Sequence, residues 1–141
     1  MTKKIGEMLV EKKLVTRSQI DEILKEQAHS NKLIGELLIE KQLLSEILLY
    51  QALAQQHQMA FVDLEAVKIS PKLLQQVPFE LVEEYAMMPL ELKDNVLVVA
   101  ISSPRTRLPK EELKVLTGAQ DVQCVLSLPV QVEEAIRDNF K

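Results

Sequence analysis

Hydrophobic and polar positions in the first part of the chain, up to residue 60, follow a pattern that occurs twice. Residues 5–27 align without gaps on residues 34–56, an offset of 29, and 9 of the 23 positions are identical. In each copy apolar residues recur at three- and four-residue spacing, which predicts amphipathic helices. A polar turn, at Lys13 in one copy and Gln42 in the other, separates a short first helix from a longer second one. The pattern therefore predicts a helix-turn-helix motif that is duplicated.

The signals at the helix ends differ between the copies. Thr16 followed by Gln19 matches a capping box, which should begin the second helix of the first copy. In the second copy Ser45 keeps the cap, but Leu48 replaces the glutamine, so we expect a weaker cap. The internal turns also lack the glycine that a left-handed helix end favours, at a cost of about 1 kcal/mol each. One copy has too little apolar surface to fold alone, so both should pack into a small four-helix unit.

After residue 60 the pattern changes to a mixture of helix and strand. Ser70-Pro71, Pro78, Pro109 and Pro129 are typical of helix starts, and Gly118 of a helix end. Apolar runs at 87–92 and 96–101, separated by Lys93-Asp94-Asn95, predict a β-hairpin, and residues 122–126 predict a third strand. The expected fold is α+β: a four-helix unit over residues 1–60, then a small α/β domain over residues 61–141 with a three-stranded sheet and packed helices.

Charge and hydropathy exclude two classes of protein. The net charge is −4, with 17 basic and 21 acidic residues spread evenly over both halves, so neither half is built to attract nucleic acid. No apolar run approaches the roughly 20 residues that a membrane span needs. We therefore expect a cytoplasmic protein.

The residues that carry chemistry in enzymes are scattered in this chain. His29, His57 and Cys124 share no spacing known from metal sites. Neighbouring carboxylates such as Glu83 and Glu84 diverge on a helix instead of converging on a substrate. Only three glycines occur, at positions 6, 35 and 118, and no phosphate-binding loop can be drawn from them. The sequence predicts no enzymatic activity, no metal and no cofactor.

The repeat, with Ile-Gly at its head and glutamine at its tail, resembles the paired motif of a known family. This is the MshEN-type N-terminal domain of the ATPases that drive type II secretion and type IV pilus assembly. The second half continues the resemblance with Pro89-Leu90, Leu-Val-Val-Ala at 97–100, Ser102-Ser103-Pro104, Thr117-Gly118 and a closing helix over residues 132–140. The resemblance implies a non-catalytic interaction or regulatory module of a secretion, pilus or motility system. It would dock to protein partners and meet the membrane only indirectly, through them.

A subset of this family binds cyclic di-GMP across the paired motifs, which implies an alternative function as a sensor. In that subset each copy opens with Arg-Leu-Gly and keeps a glycine at its internal turn. Here Lys4 and Leu33 occupy the arginine positions, and Lys13 and Gln42 occupy the turn glycines. The guanidinium fork that suits guanine edges and phosphates is therefore missing twice. Lys32, one residue earlier, would have to shift register to replace it.

The resemblance also implies which residues would line a cyclic di-GMP site. They are Lys4, Ile5, Gly6, Leu9, Val10, Leu14, Gln27, Leu33, Ile34, Gly35, Leu38, Ile39, Leu43 and Gln56. A structural alternative stays open for the same positions. In it the repeat is a packing device, in which Gly6 and Gly35 allow close approach of helices and the leucines form the core.

Overall fold

Four short helices form the first part of the chain in this computed structural model, which describes residues 4–140. They are α1 (Ile5–Glu11), α2 (Arg17–Gln27), α3 (Ile34–Glu40) and α4 (Glu46–Gln56). Every bound of α3 and α4 lies one repeat offset after its counterpart in α1 and α2. The predicted duplication of a helix-turn-helix motif is therefore confirmed at the level of individual helix ends.

Both internal turns adopt the left-handed conformation. Lys13 has φ 62° and Gln42 has φ 59°. In the first turn the Leu14 amide donates to the Leu9 carbonyl at 3.0 Å, and the Lys13 amide donates to the Val10 carbonyl at 3.0 Å. These are the two bonds of a Schellman motif, and the second copy makes both at the same distances. In each copy, a backbone position that favours glycine is thus occupied by a residue with a long side chain.

The caps of the longer helices differ as expected. The Thr16 hydroxyl accepts from the Gln19 amide at 3.1 Å, and the Gln19 side chain accepts from the Thr16 amide at 2.8 Å, which completes a capping box. In the second copy the Ser45 hydroxyl accepts from the Leu48 amide at 3.3 Å. Leucine has no group to make the reciprocal bond, so this cap contributes less.

The core of the helical unit is built from equivalent positions of the two copies. Helix α1 packs against α4, and α2 packs against α3, so exchanging the copies exchanges these two contacts. The core consists of Leu9, Val15, Ile20, Ile23, Leu37, Leu38, Leu44, Leu49 and Ala52. Four pairs in this set, 9 with 38, 15 with 44, 20 with 49 and 23 with 52, are repeat equivalents. The unit therefore has an approximate internal twofold symmetry.

The chain divides into two compact units between Gln58 and Met59, close to the boundary expected after residue 60. The second unit begins with a 3₁₀ turn (Leu64–Ala66). Its other elements are α5 (Pro71–Gln76), α6 (Phe79–Tyr85), β1 (Met87–Lys93), β2 (Val96–Ile101), α7 (Lys110–Thr117), β3 (Asp121–Leu126) and α8 (Pro129–Asn139). Every helix and strand expected from the sequence in this half is present.

The sheet has the order β1-β2-β3, with β1 and β2 antiparallel and β2 and β3 parallel. The hairpin turns at Asp94 (φ 52°) and Asn95 (φ 66°), which is the two-residue type I′ geometry that fits the strand twist. The connector at the start of the second unit, residues 60–62, hydrogen-bonds to β3. There the Val62 amide donates to the Leu126 carbonyl at 2.9 Å, and the Leu126 amide donates to the Ala60 carbonyl at 2.8 Å.

Helices cover the small sheet. Helix α8 packs on β1 and β2, while α5 and α6 pack on β1 and α7 packs on β3. One core cluster joins Val132 of α8 to sheet and loop residues, namely Leu64, Met88, Leu90, Ala100 and Val125. The α+β class with a three-stranded sheet is confirmed. Within residues 4–140, no helix has the length and apolar character to cross a membrane.

Candidate functional site

The two positions that correspond to the family's arginines lie at helix N-termini. Lys4 is the N-cap residue of α1 and Leu33 is the N-cap residue of α3, both in extended backbone conformation. Both side chains are exposed, and Leu33 retains 55% of its accessible surface. These places suit contact with a ligand or partner, but only Lys4 offers a positive charge.

The two motif glycines lie where the first helix of a copy meets the second. A Cβ on Gly6 would lie 3.5 Å from Cγ2 of Ile20, which is ordinary contact. A Cβ on Gly35 would lie 2.8 Å from Cδ2 of Leu49, which is too close without movement. Ile20 and Leu49 are repeat equivalents. Gly35 therefore permits close helix packing within its copy, whereas the space at Gly6 would accept a Cβ.

The apolar candidate residues other than the exposed Leu33 separate into two groups by burial. Leu9 and Leu38 are each 0% exposed and belong to the core. The remaining members are half-buried and pack against that core while keeping some accessible surface; they are Ile5, Val10, Leu14, Ile34, Ile39 and Leu43. This second group and the exposed Leu33 are the apolar candidates that could contact a molecule bound at the surface.

The motif glutamines occupy the last positions of α2 and α4. Gln27 donates from Nε2 to the Lys32 carbonyl at 3.3 Å, which ties the end of α2 to the loop between the copies. Gln56 is half-buried at the equivalent position of the second copy.

Lys32, the basic residue next to Leu33, is paired with a residue of the second copy. Its ammonium donates to the Glu40 carboxylate, and this hydrogen bond is the main cause of the raised pKa of Lys32. A second ion pair joins Lys41 at the end of α3 to Glu26 at the end of α2, at 2.9 Å. Neither pair was predicted from the sequence, since the two partners of each pair do not lie on one helix and no helical spacing connects them.

A surface hollow of about 370 Å³ lies between the turn that follows α1 and helix α4. It is lined by Lys12, Leu14, Leu48, Gln51, Ala52 and Gln55. Of these residues, only Leu14 was among those implied for a cyclic di-GMP site. A comparison of the two copies could have found the α4 residues, because these differ from their α2 counterparts.

The second unit carries an apolar groove of about 550 Å³ between α6 and α8. The rings of Phe79 and Phe140 lie there with centroids 5.7 Å apart, beside Ile136.

Cys124 is half-buried, and burial raises the pKa of its thiol. Across the described part of the chain, no group of three or more His, Cys, Asp or Glu side chains is placed to hold a metal ion.

Comparison with known proteins identifies the family. The model of the MshEN domain matches residues 57–141, which is more than half of the chain and includes the whole second unit. The chain belongs to the MshEN domain family. The resemblance drawn from the sequence is therefore confirmed.

Relatives of this MshEN domain are larger proteins. The type IV pilus assembly ATPase PilB of Myxococcus xanthus (strain DK1622) is 27% identical over 136 residues, which cover 96% of this chain and 24% of PilB. Bacteriophage adsorption protein B of Escherichia coli (strain K12) is 31% identical over 95 residues, which cover 67% of this chain and 13% of that protein. The chain thus spans a quarter or less of the curated relatives it matches.

Two solved structures share the fold of this MshEN domain. The structure of MshE with cdg, which denotes cyclic di-GMP, matches with a TM-score of 0.81 and 23% identity, covering 97% of this chain and 99% of that one. The N-terminal domain of XpsE matches with a TM-score of 0.58 and 15% identity, covering 97% of both chains. The MshE match extends over both units, so the helical repeat and the α/β unit occur together in that protein too.

Proposed function

We propose that this MshEN domain is a non-catalytic docking and regulatory module of a cytoplasmic motor in a secretion, type IV pilus or motility system. The observation that carries the proposal is the alignment of 96% of the chain with 24% of a type IV pilus assembly ATPase. A domain that recurs as a fraction of such a motor is suited to connecting the motor to its protein partners.

The use of the repeat residues supports a docking module. Gly35 serves helix packing, and Leu9 and Leu38 form the core. The most conspicuous motif residue at the surface is an exposed leucine, Leu33, in place of an arginine. Exposed apolar side chains at a helix end favour contact with protein over contact with a phosphate.

Direct binding to a purified partner tests the docking function. The partner to use is the cytoplasmic segment of an inner-membrane assembly protein from the same organism's pilus or secretion system. We expect saturable binding of the purified chain in the micromolar range by biolayer interferometry, with unrelated cytoplasmic domains as controls. If no assembly protein of these systems binds, the docking function is refuted.

A second function, cyclic di-GMP sensing, is favoured by one observation. The chain shares its fold over 97% of its length with the structure of MshE with cdg. The residues proposed to contact the nucleotide are the exposed and half-buried members of the repeat, above all Lys4, Leu33, Gln27 and Gln56. Losing two charge-assisted contacts, at about 1.5–3 kcal/mol each, would weaken binding by roughly two to four decades.

Isothermal titration with cyclic di-GMP separates the two functions. The wild-type chain is compared with Gln27→Ala and Gln56→Ala, and with a double variant, Lys4→Arg/Leu33→Arg, that restores the arginines. Micromolar binding by the wild type that both glutamine variants lose would establish the sensor. Binding by the arginine variant alone would show that the scaffold has kept the shape of the site without its ligand contacts.

A further inference from the structure

The hollow between the turn after α1 and helix α4 lies where the two copies of the repeat differ. One side is formed by Lys12 and Leu14 of the turn after α1, whose counterparts in the turn after α3 are Lys41 and Leu43, identical in type. Its α4 side is formed by Leu48, Gln51, Ala52 and Gln55. All four differ from their α2 counterparts, which are Gln19, Glu22, Ile23 and Glu26.

Two of these differences remove carboxylates from the neighbourhood of a lysine. At the counterpart, the Lys41 ammonium pairs with Glu26 at 2.9 Å, and Glu26 and Glu22 both raise the pKa of Lys41. In the hollow these two carboxylates become the neutral amides of Gln55 and Gln51. Among the described residues, Lys12 forms no ion pair. The hollow therefore has the lysine that its counterpart has, Lys12, but not the carboxylate that would pair with it.

The other two differences make the hollow deeper and more apolar. Ala52 replaces Ile23, and both are buried, at 2% and 1% exposure. Alanine lacks three of the four side-chain carbons of isoleucine, so the floor is lower here than at the counterpart. Leu48 replaces Gln19, and it stays 39% exposed at the edge of the hollow. The edge of the hollow is therefore apolar, whereas its counterpart carries the Gln19 amide that caps α2.

We propose that this hollow is a docking site for a segment of a partner protein that presents a carboxylate beside an apolar side chain. The proposal rests on the docking function above and adds where the partner binds and by what chemistry. The incoming carboxylate takes the place that Glu26 has against Lys41, and the two amides of Gln51 and Gln55 donate to it. The apolar side chain lies over Ala52 and against Leu48.

The shape of the hollow favours a protein segment over a small molecule. Lys12, Leu48, Gln51 and Gln55 are all exposed, so the hollow covers only one face of an occupant. Small-molecule sites bury most of the ligand surface, whereas protein interfaces surround a small apolar centre with polar side chains. One cation, two amides and an apolar floor match the second description.

The test makes the hollow resemble the corresponding surface beside Lys41, or reverses its charge. It then measures binding of the same partner protein that the docking assay uses. Gln55→Glu should supply an internal partner for Lys12 and repel the incoming carboxylate, and Lys12→Glu should reverse the charge. Each is expected to weaken binding about ten-fold or more, as loss of a charge-assisted contact does. Leu48→Gln should weaken it less, by removing the apolar edge. All three positions are exposed, so circular dichroism should show unchanged folding.

A matched control lies on the opposite side of the internal twofold. Glu26→Gln makes the same chemical change in reverse, next to Lys41, and should leave partner binding within about two-fold of the wild type. If the wild type binds and the Lys12→Glu and Gln55→Glu variants bind equally well, this inference is overturned while the docking function stands. If the wild type binds no assembly protein, the docking function fails and the inference fails with it.

Discussion

Glycine at both internal turns of the repeat should stabilise the helical unit. Lys13 (φ 62°) and Gln42 (φ 59°) are left-handed residues that follow helix ends, and each turn is closed by backbone bonds of 3.0 Å that glycine would keep. Both side chains are exposed, so their removal opens no cavity in the core. The double variant Lys13→Gly/Gln42→Gly therefore removes the backbone strain without disturbing the core.

The expected magnitude follows from two opposing terms. A Cβ in the left-handed region costs about 1–2 kcal/mol, which glycine removes. The greater freedom of glycine in the unfolded chain offsets about 0.5–1 kcal/mol of this. The net gain is about 0.5–1 kcal/mol per turn, and the two turns should add if they act independently.

Urea unfolding followed by far-ultraviolet circular dichroism measures this gain. We expect the midpoint to rise with an unchanged slope, since the folded and unfolded surfaces stay the same. The control is Lys13→Ala/Gln42→Ala, which shortens both side chains but keeps Cβ and should gain no stability. A glycine variant no more stable than this alanine control would show that the turns are not strained as argued.

Three further predictions concern single residues. Thr16→Ala should lower the free energy of unfolding by about 1 kcal/mol, and Ser45→Ala by less, because only the first cap is reciprocal; urea unfolding of both variants checks this. Gly35→Ala should be less stable than Gly6→Ala by about 1 kcal/mol or more, since its new methyl lies 2.8 Å from a buried leucine; equal midpoints would contradict the packing role. Burial raises the pKa of Cys124, so the thiolate should form only above the ordinary thiol range, and alkylation at mildly alkaline pH should be slower in folded than in urea-unfolded protein.

Local features of this protein could be predicted because they depend on residues close together in the chain. The helix bounds repeat at one fixed offset because the apolar spacing and the capping residues repeat at that same offset. The Thr16 capping box, the strained turns and the weaker Ser45 cap each involve residues within one helical turn. The hairpin at Asp94 and Asn95 was predicted for the same reason, since two residues and their flanking strands define it.

The roles of the motif residues needed the tertiary structure. Periodicity places Leu9 and Leu14 among the apolar positions of the first copy, yet one is fully buried and the other lies beside a surface hollow. That difference depends on how α4 packs against α1. The ion pair between Glu26 and Lys41 also needed the tertiary structure, because its partners lie at the ends of two different helices, α2 and α3.

The sequence alone therefore determined the family resemblance, the order of the elements and the duplication, since spacing and chain direction carry that information. Only the tertiary structure decided which lysine of the repeat is paired. Lys41 meets Glu26, whereas Lys12 faces amides across a hollow. The physical reason is that the two copies share one backbone plan, so their helix contacts are equivalent. Single differences between the copies, which look minor in the sequence, therefore decide the charge and shape of the surface where the helices meet.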